Sequence, residues 1–157
     1  MKPSVLAALA LGSLVAACAH SEGAGAASPS FVNPPGRPAP KGLTHAVSVP
    51  AGRTVYVSGQ VARNEQGQIV GRGEMRAQAE QVFKNIDAAL AAAGASLSDV
   101  VQLTAYLRDI SQLAAYREVR ERVLGSSPRP ASTLVEVKGF IEEDILLEVD
   151  VVAAPRH

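Results

Sequence analysis

Three short segments hold most of the residues that could do chemistry. Glu148 and Asp150 lie two residues apart in the run Leu147-Glu148-Val149-Asp150-Val151-Val152-Ala153. A strand turns alternate side chains to one face, so the two carboxylates share a face among apolar neighbours. A buried carboxylate is costly unless paired. The pair therefore serves either as interface salt-bridge partners or as pocket groups, and spacing alone favours the salt bridge. Ser58-Gly59-Gln60 ends an otherwise apolar strand. A polar-Gly-polar step there marks a bulge or a close approach of the backbone to another group; the plainer reading is a strand end facing water. Pro128-Arg129-Pro130-Ala131-Ser132-Thr133 is a stiff loop feeding Leu134-Val135-Glu136-Val137. It either holds polar groups at a pocket rim or simply joins a helix to a strand.

Other chemistries lack their residues. His20, His45 and His157 are dispersed, so no metal site is expected. Cys18 is the single cysteine, which excludes an intrachain disulfide and a thiol nucleophile in the domain. No nucleophile elbow, phosphate loop or dinucleotide glycine pattern occurs, and Gly71-Arg72-Gly73 is too short to be one. Net charge is +0, there is no Trp, and only three Phe and three Tyr are present. That composition excludes nucleic-acid binding by bulk charge or aromatic stacking. Arg117, Arg120 and Arg122 form a basic group on a helix, best read as a solvated face paired with Glu118 and Glu121.

The elements that would position these residues follow from periodicity. Strands are expected over 44–49 and 54–62, joined by a turn at Pro50-Ala51-Gly52. Ala79, Val82, Phe83, Ile86, Leu90 and Ala93 recur at steps of three and four, which predicts a helix over 74–93 stopped by Gly94. A strand over 100–107, a helix over 111–124 stopped by Gly125, and strands over 133–137 and 145–153 complete the order β-β-α-β-α-β-β. Two amphipathic helices cover one face of a sheet, so the fold class is α+β, a two-layer sandwich. Doublets such as Val100-Val101 and Leu146-Leu147 put apolar residues at both parities, which predicts a second apolar face buried by self-association.

The first 41 residues belong to a different regime. Residues 1–17 join Lys2 to an uncharged Ala, Leu and Val run, too short for the roughly 20 residues of a membrane span. They read as a signal peptide. Leu14-Val15-Ala16-Ala17-Cys18 resembles a bacterial lipobox, in which the acylated Cys18 anchors the mature chain to a membrane in the periplasm. The plainer alternative is a soluble periplasmic or secreted protein. Residues 18–41, rich in Ala, Gly, Ser and Pro, read as a tether without helix or strand period.

Several of these segments, in this order, resemble the RidA/YjgF family of reactive intermediate deaminases: Ser58-Gly59-Gln60, the helix ending Ala-Ala-Ala-Gly94-Ala95, Tyr106-Leu107-Arg108-Asp109, Pro130 to Val137, and Leu147 to Ala153. The resemblance spans residues 42–154. It implies a chorismate-mutase-like fold, a homotrimer with clefts between subunits, small-molecule ligands and no cofactor. Deaminases of that family hydrolyse enamines or imines. By resemblance Glu148, with backbone near Ser58, Gly59 and Gln60, positions the attacking water. The family's pocket tyrosine falls at His45, and its carboxylate-binding arginine falls at Ser132, ahead of Thr133. Losing a bidentate guanidinium removes two charge-assisted hydrogen bonds. The resemblance thus implies a branch without efficient imino-acid turnover, unless Arg129 or His45 supplies another anchor. A non-catalytic binding or chaperone-like trimer is the remaining alternative. RNA cleavage, ascribed to some relatives, sits poorly with export.

Overall fold

A computed structural model describes residues 28–36, 40–125 and 128–155. The signal-peptide and lipobox readings at 1–17 and Cys18 lie outside the described residues, as does most of the tether.

Six strands and two helices follow in the order β1 (Ser30–Val32), β2 (Ala46–Ser48), β3 (Val55–Gln60), α1 (Met75–Ala92), β4 (Val100–Leu107), α2 (Leu113–Leu124), β5 (Ala131–Glu136) and β6 (Leu147–Ala153). The main sheet has the order β3-β6-β4-β5; β4 and β5 are parallel and the other pairs antiparallel. Both helices pack on one side of it. Ala79, Val82, Phe83, Ile86 and Leu90 of α1 are buried, as the periodicity predicts, and Tyr116 and Val119 of α2 are buried with them. They meet Leu103, Ala105 and Leu107 of β4 and Leu147, Val149, Val151 and Ala153 of β6. Gly94 ends α1 with φ +67°, a left-handed C-cap that a side chain rarely adopts. No described helix is long and apolar enough to cross a membrane.

The structure differs from the sequence expectation in three ways. First, the stretch read as an unstructured tether contains β1. Ser30–Val32 pairs antiparallel with β2 in a separate two-stranded sheet, so the first expected strand, 44–49, does not join the main sheet. Its backbone link to the main sheet is at Thr44, which forms a parallel bridge to Ala131 and donates its N–H to the Pro130 carbonyl at 3.2 Å. Pattern reading misses β1 because three residues are too few to show a period.

Second, the sheet's uncovered face is not a second apolar surface. The register of β4 against β6 shifts between Val100 and Gln102, so the Val100-Val101 doublet is a bulge. Leu146 packs against the helix-side core. The uncovered face carries Gln102, Thr104 and Tyr106 of β4 and Glu148, Asp150 and Val152 of β6, with Tyr56 and Val135 the large apolar side chains exposed there.

Third, Arg120 is not on a solvated face. It is 6% exposed, 5.9 Å over the Tyr116 ring and 3.7 Å from Glu121. Glu118 pairs with Arg76, and Arg122 with Glu80 at 2.7 Å. Glu118 and Arg122 thus tie α2 to α1, while Arg120 keeps its partner Glu121 within α2.

Candidate functional site

Of the two readings of Ser58-Gly59-Gln60, the structure shows the bulge, and it is the seat of Glu148. Val57 pairs with Val151 and Gln60 with Val149, so Ser58 and Gly59 together oppose Asp150. The Gln60 amide donates to the Ser58 carbonyl at 3.0 Å, bracing the extra residue. The Glu148 carboxylate lies directly on the Gly59 backbone. A Cβ at Gly59 would stand 2.8 Å from Glu148 Cδ and closer still to Oε1. Any side chain there would displace the carboxylate, so this glycine serves close approach rather than an unusual φ.

Across β4, Tyr106 is level with Glu148, and Thr104 with Asp150. The Tyr106 phenol is held above its ordinary pKa, first by the Asp150 charge, then by desolvation, by hydrogen bonding to Asp150 and by Glu148. Tyr106 is thus a member of the site that sequence reasoning passed over. Its signal was available: Gln102, Thr104 and Tyr106 alternate on the same face as the carboxylates they pair with. Within the described chain no basic side chain pairs with Glu148 or Asp150. The two carboxylates, a phenol, the Ser58 hydroxyl position and bulged backbone form a polar patch able to orient a hydrogen-bonding ligand or water.

The other expected residues divide. Ser132 is level with Leu103 and Thr133 with Thr104. Leu103 is 1% exposed in the core, so Ser132 takes the helix-side parity and Thr133 the open face. Ser132 and Glu148 of one chain therefore do not share a face. Arg129 donates to Glu121 at 3.3 Å and lies against Gly42, drawn toward α2 rather than toward Glu148. His45 is exposed just beyond the Thr44–Ala131 bridge. A cleft of about 260 Å³ on the open face is lined among others by Val47, Tyr56, Gln102, Ala131 and Val152; His45, Ser132 and Glu148 are not among its lining residues. Among the described residues no group of His, Cys, Asp and Glu is arranged to hold a metal ion.

Residues 36–155 match the family model described as Endoribonuclease L-PSP. A RutC family protein of Pyrococcus abyssi is 38% identical over 117 residues, covering 73% of this chain and 90% of its own length. A 2-iminobutanoate/2-iminopropanoate deaminase of Dermatophagoides farinae is 34% identical over 107 residues, 68% of this chain and 82% of that protein. The Rid-family protein YyfB of Yersinia pestis superposes with TM-score 0.73 at 31% identity, covering 82% of this chain and 100% of its own. The chain belongs to the RidA/YjgF family, also called L-PSP.

Proposed function

We propose that this protein binds, and in some cases hydrolyses, a small molecule in clefts between the subunits of a homotrimer, and that it is not an efficient 2-imino-acid deaminase. The observation that carries this reading is the Glu148 carboxylate seated over Gly59, a built position on a face left uncovered in one chain. Glu148 there would orient a water or accept a ligand proton. Because Ser132 and Glu148 lie on opposite parities, they can meet in one cleft only across a subunit boundary. That supports an assembly in which the edge strand β5 of one copy approaches the open face of another.

Ser132 stands at the arginine position of the deaminase pattern, and a serine hydroxyl cannot grip a carboxylate as a guanidinium does. Arg129 is a poor replacement because Glu121 engages it. His45 remains the alternative anchor for a deaminase reading. No nucleic-acid role is proposed: within the basic group Arg120 is buried and Arg122 is paired with Glu80 at the surface. Export with lipidation at Cys18 completes the proposal, the tether letting the domain stand off the periplasmic membrane surface.

Hydrolysis of 2-iminobutanoate by the full chain and by Ser132→Arg tests the proposal. The natural protein should be weak and the variant should gain at least tenfold. Vigorous natural activity lost in Glu148→Gln would instead establish the deaminase reading. Light scattering should give three copies; a monomer would remove the intersubunit cleft. Mass spectrometry of the membrane fraction should find diacylated Cys18, and Cys18→Ser should release the protein.

A further inference from the structure

The contact between Asn33 and His45 closes the end of the short β1–β2 sheet, whose Val47 lines the cleft. Asn33 follows β1 directly and lies ahead of the residues 36–155 matched by the family model. Its side-chain oxygen Oδ1 accepts the backbone N–H of His45 at 3.1 Å and stands 2.9 Å from His45 Nδ1. The first bond fixes which end of the amide faces His45, because a backbone N–H requires an acceptor and the amide nitrogen is only a donor. The same oxygen cannot donate to Nδ1. Nδ1 must therefore carry the proton, and in the neutral ring Nε2 is left with its lone pair. His45 is exposed, so that lone pair is open to a ligand.

The backbone around the ring is also held. Thr44 is buried and donates its N–H to the Pro130 carbonyl, so the backbone entering His45 is tied to the loop that leads to Ser132. Val47, two residues on, lines the cleft together with Ala131.

From this arrangement we infer that Asn33 is a positioning residue that locks His45 as its Nδ1–H tautomer, presenting Nε2 as an acceptor to a ligand N–H or O–H. The inference deepens the proposed function by naming the ligand class. A carboxylate needs donors, and here the one ring donor is taken by Asn33 while Ser132 supplies no guanidinium. A neutral amide, amine or alcohol supplies the proton that Nε2 accepts.

The test uses the full chain labelled with 15N-histidine and observed by long-range 1H–15N spectroscopy, with His45 assigned by its loss in His45→Gln. The expected result is a protonated Nδ1 and an unprotonated Nε2 in the neutral ring. Asn33→Ala should shift the ring toward a mixture in which Nε2 carries the proton, and Asn33→Asp, which keeps an oxygen acceptor, should restore the locked form. A merely structural Asn33 would leave the tautomer unchanged in Asn33→Ala, and that result, or an Nε2–H form in the natural chain, overturns the positioning role. Acetamide and acetate are then titrated separately. A larger shift of Nε2 with acetamide, lost in Asn33→Ala, supports the ligand class; an equal or larger shift with acetate, or none with either, overturns it. Neither readout depends on imine turnover or on the number of subunits, so failure here is distinct from failure of the proposed function.

Discussion

The two sides of strand β6 differ more than any two surfaces of the domain, although they alternate residue by residue. Leu147, Val149, Val151 and Ala153 face the helices and are at most 1% exposed. Glu148, Asp150 and Val152 face the other way and are half-buried. The helix side is finished within one chain: apolar, closed, and laced at its rim by ion pairs between α1 and α2. The open side is polar, bulged and without a cover in a single chain. One sheet thus commits one face to stability and leaves the other for recognition, where apolar burial would be wasted and orienting groups are needed.

The most direct way to break this contrast is to truncate one residue on each side. Leu147→Ala should destabilise the fold by roughly 2–5 kcal/mol in chemical denaturation, since it loses both transfer energy and packing. Glu148→Gln, one residue away, should stay within about 0.5 kcal/mol in a dissociated subunit while abolishing ligand effects. Equal losses would mean that the open face also holds the subunit together.

Alkaline pH probes the closed side. Burial pushes the Tyr116 phenol up to about 12, only partly offset by the Arg120 charge. The unfolded phenol ionises near 10, so stability is fully present below that pH and falls as pH rises toward the folded value. The loss should be on the order of 2–3 kcal/mol between those limits, and Tyr116→Phe should flatten the slope of stability against pH.

Gly59→Ala tests the bulge. It should cost about 1–3 kcal/mol through overpacking against Glu148. Combining it with Glu148→Ala should recover part of that loss, with a coupling of roughly 0.5–3 kcal/mol in a double-mutant cycle. Simple additivity would show that the two residues do not compete for space.

The smallest effect sharpens the electrostatics of the open face. Asp150 is the leading cause of the raised Tyr106 pKa and Glu148 the lesser carboxylate contribution. Asp150→Asn should therefore lower the ultraviolet titration midpoint of Tyr106 more than Glu148→Gln does. The reverse order would assign the phenol to Glu148.

Much of this was legible in the residues. The stripe from Ala79 to Leu90 has a 3.6 period and packs as expected, because a helix needs only its own spacing to declare its inner face. The step Ser58-Gly59-Gln60 left a bulge or close approach and a plain strand end both open, and the register shift together with Glu148 on Gly59 decided for the first. Arg120 misled: its charge suggested water, yet its long stem and planar head cover Tyr116 inside the fold. The Val100-Val101 doublet also misled, because a bulge inserts one residue and breaks the period that parity arguments rely on.

The sequence by itself determined the two amphipathic helices, the period-two alternation of β6 and the shared face of Glu148 and Asp150, because each depends on neighbours a few residues away. Only the tertiary structure decided that Gly59 lies under Glu148, that Ser132 takes the opposite parity, and that Asn33 reaches His45. Those contacts bring together residues 89, 29 and 12 positions apart or set a register between strands, and no local period encodes such a meeting.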